Sequence, residues 1–208
     1  MIDPATLLAY LAILTGFVFL PGPATLLTLA RAAGSGTRAG MTTALGIAVG
    51  DLVHTVFAVV GISAVVLASA TLFAVVKYLG AAYLVYLGIR AFRERAGAAL
   101  PGAAGGLAPG RAFRQAVLAE VLNPKSALFF LAFLPQFVDP AAGAVALQLL
   151  VLGMLFVAMG LVSTLAVALS AGGIGGLLRR NPAVLRWQGR VAGAIFCGLG
   201  LRLAFEER

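Results

Sequence analysis

The sequence has little charge and few of the residue types that build reactive sites. Only 11% of its 208 residues are charged, against about 25% in a typical soluble protein. Its single cysteine, Cys197, permits no disulfide framework and no CxxC redox pair within the chain. His54 is the only histidine, and the sequence contains no GxSxG, HExxH or phosphate-loop motif. We therefore expect no enzymatic activity, no cofactor and no resident metal ion.

Hydrophobic residues, in contrast, make up 62% of the chain and fall into six long runs. A membrane-spanning helix needs about 20 mostly apolar residues, so six such helices leave no room for a soluble domain of ordinary size. We expect the first run to be a retained helix, since no Lys or Arg precedes it as in a signal peptide. The sequence thus predicts an all-α membrane protein with six transmembrane helices. The runs cover residues 5–30, 40–68, 71–90, 113–137, 143–170 and 188–205.

The basic residues lie in alternate connections between these runs. The net charge of +8 therefore does not indicate nucleic-acid binding, because the arginines do not form one basic face. The second and fourth connections hold no Lys or Arg, and the fourth carries Asp139. By the positive-inside rule, the basic connections face the cytoplasm and both termini lie outside. The residues concerned are Arg31, Arg38, Arg90, Arg93, Arg95, Arg111, Arg114, Arg179, Arg180, Arg186 and Arg190.

The two halves of the chain contain similar short motifs. Leu20-Pro21-Gly22-Pro23-Ala24 in the first run is similar to Leu122-Asn123-Pro124-Lys125-Ser126 in the fourth. Each half has three spans, an odd number, so the second half is inverted relative to the first, as in many secondary transporters. We predict a first repeat over residues 1–93, a cytoplasmic linker over 94–112, which is rich in Ala, Gly and Pro, and a second repeat over 113–208.

Helices 1 and 4 are predicted to break near the middle of the membrane. Pro21-Gly22-Pro23 lies about 15 Å from the inner boundary by helical rise, and Asn123-Pro124-Lys125 lies at a similar depth. Proline removes a backbone donor, and Asn before Pro is a good helix start. The alternative is a simple proline kink. If a new helix begins at each break, two positive N-termini and the Lys125 charge form an anion site, unless Lys125 extends away from the core.

Three further ionisable residues within the apolar runs are candidates for the site. Asp51 is about 16 Å deep by the same measure and is predicted to bind a substrate ammonium, to exchange a proton, or to do both; the alternative is a structural ion pair with Lys125. His54 lies one turn away on the same face, as a core histidine or a proton relay. Glu120 is nearer the inner end, where it pairs with Arg114 or lines the vestibule. Together, Asp51, His54 and Glu120 are also the residues that a divalent-metal or other cation exporter would use.

Four of the runs carry distinctive motifs. They are Phe19-Leu20-Pro21-Gly22-Pro23, Gly46 to Asp51, Lys77-Tyr78-Leu79-Gly80 with Tyr83-Leu84 and Leu87-Gly88, and Leu122-Asn123-Pro124-Lys125 through Phe129-Phe130 to Phe133-Leu134-Pro135-Gln136-Phe137. These motifs resemble those of the LysE/RhtB family of bacterial amino-acid exporters, and the resemblance extends over nearly the whole chain. Glu120 departs from the family's pattern, in which we expect a neutral residue.

This resemblance implies an inner-membrane secondary transporter that exports amino acids or close relatives, driven by the proton or membrane potential, often as a homodimer. The residues favour the same solute class, because Lys125 and the helix N-termini suit a carboxylate and Asp51 suits an ammonium. The predicted partners are an amino acid, a proton and the lipid bilayer, with no nucleic acid. A membrane subunit that only scaffolds a partner is the remaining alternative, and it leaves both breaks unexplained.

Overall fold

The computed structural model describes residues 2–19, 22–62 and 107–180, with isolated residues between 75 and 92 and between 190 and 205. Within these residues the chain is helical and contains no strand. A π-helical turn, Ala58–Ile62, continues α3, and π- and 3₁₀-helical turns over Phe129–Phe137 continue α5. The helices are α1 (Pro4–Phe19), α2 (Pro23–Ser35), α3 (Thr37–Phe57), α4 (Pro109–Val121), α5 (Pro124–Leu128) and α6 (Val145–Arg180).

Among the described residues, two helices are each long and apolar enough to cross a membrane, namely Thr37–Gly61 and Val145–Ala171. Two bent pairs, α1 with α2 and α4 with the segment that begins at Pro124, bring the candidates to four if each pair is one span. The predicted third and sixth spans lie largely outside the described residues, as does most of the predicted linker. Where the linker is described, α4 already begins at Pro109, because proline suits the first helical position.

Both predicted breaks are present where the structure describes them. The axes of α1 and α2 differ by 45°, and those of α4 and the following segment by 42°. Gly22 precedes α2 in an extended conformation, with φ −120° and ψ −169°. Asn123 caps α5 by accepting a hydrogen bond from the Lys125 backbone N–H at 3.0 Å. Pro21 lies outside the described residues.

The two broken pairs run in opposite directions. At one end, Arg31 donates to Gln115 at 2.7 Å, so the end of α2 lies beside the start of α4. At the other end, α1 packs in one aromatic cluster with Phe137, and the Tyr10 hydroxyl donates to the Leu152 carbonyl at 2.7 Å. Since α2 ends where α4 begins, the chain crosses the molecule one way in the first pair and the opposite way in the second.

A glycine face brings α3 against α4. A Cβ atom at Gly46 would lie 2.5 Å from the Phe113 carbonyl oxygen, and one at Gly50 would lie 2.5 Å from Glu120 Cβ. Only residues without side chains permit so close an approach between helices. This contact places the side chain of Glu120 directly beside the turn of α3 that carries Asp51.

Candidate functional site

A cavity lies where the two breaks meet, between the broken pairs, α3, α4 and α6. It has about 420 Å³ of empty volume, part of it open to the outside of the protein. Five of the predicted substrate-binding residues line it, and Pro124 lies in the same turn. The five are Gly22, Pro23, Asp51, Asn123 and Lys125.

Asp51 is the least satisfied polar group of the cavity. Its side chain projects from α3, and only 2% of the residue is exposed. Its Oδ1 atom is buried and has no hydrogen-bond partner. Its Oδ2 atom lies 3.4 Å from the position that a Cβ at Gly160 of α6 would take. A buried polar atom without a partner is uncommon, so Oδ1 of Asp51 can accept a hydrogen bond from a donor outside the described chain.

Glu120 lies in the cavity beside Asp51, and not with Arg114, which is exposed. Its Oε1 accepts hydrogen bonds from Asn123 Nδ2, at 3.0 Å, and from the Ser126 hydroxyl. Its carboxyl group also interacts electrostatically with the carboxyl group of Asp51. Of the two predicted roles, pairing with Arg114 is therefore not observed, and Glu120 is instead part of the central site.

Lys125 joins the two breaks. Its ammonium group donates to the Phe17 carbonyl at 3.2 Å and lies 4.3 Å from the centre of the Phe17 ring. Four residues on, where a helix would supply a donor to that carbonyl, the sequence has Pro21, which has no N–H. A Cβ at Gly22 would lie 3.0 Å from Lys125 Nζ. The ammonium therefore lies at the first break, beside the N-terminus of α2.

The two helix N-termini differ in what they offer an anion. In α2, the N–H groups of Ala24 and Thr25 precede the first intrahelical bond, which Leu26 makes to Gly22 at 2.9 Å, and both residues line the cavity. In α5, the first N–H group, that of Lys125, already donates a hydrogen bond to the Asn123 side chain. The first break thus leaves two backbone N–H groups at the cavity, whereas at the second break the first such group is already bonded.

His54 lies outside the cavity lining, in the contact between α3 and α4. Its Nε2 lies 2.9 Å from the Glu120 carbonyl oxygen, and its ring stacks on Phe130 at 5.7 Å between centroids. A carbonyl only accepts, so Nε2 is the donor and carries the proton. Among the described residues, no group of three or more His, Cys, Asp and Glu side chains converges as metal ligands do.

Some residues of the site were not predicted from the sequence. Ser126 binds Glu120, and Gly160 and Thr164 of α6 complete the wall opposite Asp51. Ser126 is three residues after the cap Asn123, a position that faces back toward it, so this spacing was an available signal. Small and hydroxyl residues inside the apolar α6 were another signal, because such residues favour contacts within a membrane bundle.

Charged side chains in a cavity between broken membrane helices define a class of protein, the membrane translocators of small solutes. The chain matches the LysE type translocator family over residues 15–207 and belongs to it. The family resemblance of the motifs is thereby confirmed.

Several relatives match this chain over much of its length. An uncharacterized membrane protein of Vibrio cholerae is 34% identical over 197 residues, 95% of each chain. The homoserine/homoserine lactone efflux protein of Salmonella typhimurium is 30% identical over 196 residues, 94% of each chain. The leucine efflux protein of the same organism is 34% identical over 139 residues, 65% of this chain and 66% of that one. No solved structure matches the chain significantly.

Proposed function

We propose that the protein is a secondary transporter that exports amino acids or close derivatives across the bacterial inner membrane. The observation that carries this proposal is the unpaired Oδ1 of buried Asp51 in the same cavity as the Lys125 ammonium. A zwitterion carries both groups that such a cavity lacks. The two efflux relatives are named for leucine and for homoserine and its lactone, which supports the same class of solute.

The carboxylate of the solute binds at the first break. Lys125 Nζ and the first N–H groups of α2 meet there, and both a full positive charge and a helix N-terminus attract an anion. The helix contributes fixed dipoles that need no rearrangement. A carboxylate at this position would lie beside Gly22, where a larger residue would block its approach to Lys125.

The ammonium of the solute binds at Asp51. It supplies the donor that Oδ1 lacks in the empty cavity, and hydrogen bonds between charged groups are about twice as strong as neutral ones. The apolar part of the wall, from Phe17, Ile47 and Phe156, is left for the solute's side chain. We therefore favour an amino acid with a small or medium apolar side chain.

The opposed broken helices support a mechanism of alternating access. The two pairs run in opposite directions and meet at one cavity, as expected if each half is an inverted three-helix repeat that rocks against the other. In this proposal the arginine-rich connections face the cytoplasm, both termini lie outside, a proton drives export, and two copies form a homodimer.

The test is amino-acid efflux from cells that express the protein and are fed dipeptides. We expect one amino acid, or a few, to appear in the medium, and Asp51→Asn to abolish this efflux at equal expression. Asp139→Asn is the matched control, because it also removes one carboxylate but lies exposed in a loop, where Asn can still cap the next turn.

Absence of amino-acid efflux from cells that express the wild-type protein well would contradict the proposal. If metal tolerance were then lost in His54→Ala, the cation exporter would replace the amino-acid exporter. Purified protein that moves no solute in proteoliposomes would favour a scaffolding role.

A further inference from the structure

Two buried carboxyl groups meet in the cavity, with one cation nearby. Asp51 and Glu120 are each 2% exposed, and the glycine face of α3 lets their side chains approach from neighbouring helices. Lys125 of α5 interacts electrostatically with both. Two adjacent buried carboxylates with one compensating charge do not both stay ionised, because their repulsion is not screened by water.

The donors around each carboxyl group indicate which of the two carries the proton. Glu120 Oε1 accepts from both Asn123 and Ser126, and such donors favour an ionised carboxylate. Asp51 Oδ1 has no hydrogen-bond donor among the described residues. A hydrogen bond between two carboxyl groups requires a proton on one of them. Asp51, which has fewer donors, is the member that donates.

We propose that Asp51 and Glu120 hold one shared proton in the empty site, with Asp51 as the acid and Glu120 as the ionised acceptor, and that this proton is the one exchanged for the solute's ammonium. The inference rests on the proposed function and assigns its coupling site. When the solute binds from the inner side, the proton leaves Asp51 for water and the ammonium takes its place. After release on the outer side, Asp51 takes up a proton again, so one proton enters for each solute that leaves.

The other groups around the pair fit this assignment. Lys125 balances ionised Glu120, so the empty site is neutral. His54 lies near the pair on α3, but its Nε2–H donates a hydrogen bond to the Glu120 backbone carbonyl. This bond positions Glu120 and does not involve its carboxylate, which remains available to Asp51. Described residues of α1, α2 and α6 that line the cavity carry no titratable side chain.

Infrared spectroscopy of the purified protein tests the shared proton without any solute. At pH 7, ordinary Asp and Glu side chains are ionised, so the carbonyl stretch of a protonated carboxylic acid is expected from this pair alone. We expect wild-type protein and Asp139→Asn to show the band, and Asp51→Asn and Glu120→Gln to lack it. Absence of the band from wild-type protein at pH 7 would overturn the proposal whatever the variants do.

Flux in proteoliposomes then tests the coupling. With the membrane potential clamped, exchange of one proton for one solute makes the steady-state solute gradient rise about tenfold per unit of pH gradient. We expect this in wild-type protein and Asp139→Asn, while in Glu120→Gln whatever flux remains does not respond to the pH gradient. A tenfold response in Glu120→Gln would overturn the pair as the coupling site. Wild-type protein that shows the band but moves no amino acid would overturn the proposed function and leave the shared proton standing.

Discussion

Replacing Asp51 with Asn should weaken binding of an amino acid through one identifiable contact. The side chain is buried and its Oδ1 has no partner within the protein, so a bound ammonium replaces no existing hydrogen bond there. A hydrogen bond to a charged group contributes about 1.5–3 kcal/mol, which corresponds to a factor of about 10–150 in Kd. Asn has nearly the same shape but no charge, so the loss should approach this full range.

The assay compares leucine with its 2-hydroxy acid analogue, which has a hydroxyl in place of the ammonium. Calorimetric titration of the purified protein gives Kd for both ligands. Wild-type protein should bind leucine about 10–150-fold more tightly than the analogue, and Asp51→Asn should lose this preference. Asp139→Asn, with an equal change of charge at an exposed position, should keep it.

One result would refute the reasoning directly. If Asp51→Asn raises the Kd of both ligands by the same factor, and so retains the wild-type preference for leucine, Asp51 does not contact the ammonium. A monodisperse size-exclusion profile of the variant is required for either reading.

Two further predictions concern the packing around the cavity. Gly50→Ala places a Cβ 2.5 Å from Glu120 Cβ and should lower the free energy of unfolding by about 1–3 kcal/mol in denaturation of the detergent-solubilised protein. Gly61→Ala, whose Cβ would meet no described residue within 4 Å, is its control, and equal effects would contradict the close contact. Tyr10→Phe removes the hydrogen bond to the Leu152 carbonyl and should cost about 0.6 kcal/mol, the average for such bonds in a membrane protein. Because Tyr10 does not line the cavity, loss of efflux in this variant would contradict the location of the site.

The helix breaks were predictable from the sequence because their causes are local. Proline removes a backbone donor wherever it stands, and Asn123 caps the turn that directly follows it. The approximate level of Asp51 was also predictable, since helical rise converts residue number into depth. The six-helix inverted repeat, the orientation and the dimer stay predictions.

The partners of the charged residues depended on contacts between distant parts of the chain. Glu120 follows Arg114 by less than two turns, and the sequence left open whether it pairs with Arg114 or lines the vestibule. The close approach of α3 at Gly50 places Glu120 beside Asp51. The sequence did not predict the direction of the Lys125 side chain. Its ammonium group donates a hydrogen bond to the carbonyl of Phe17, more than 100 residues away. His54 likewise binds the backbone of another helix.

The sequence by itself determined the class of protein, a helical membrane protein with two broken helices and a few buried charges, because hydrophobicity, proline and helical periodicity act over short stretches of chain. Only the tertiary structure decided that Asp51, Glu120 and Lys125 share one cavity, and that Asp51 keeps a buried oxygen without a partner among the described residues. The direction and partner of a side chain depend on which helices pack together and how closely, and no residue spacing within one helix specifies that.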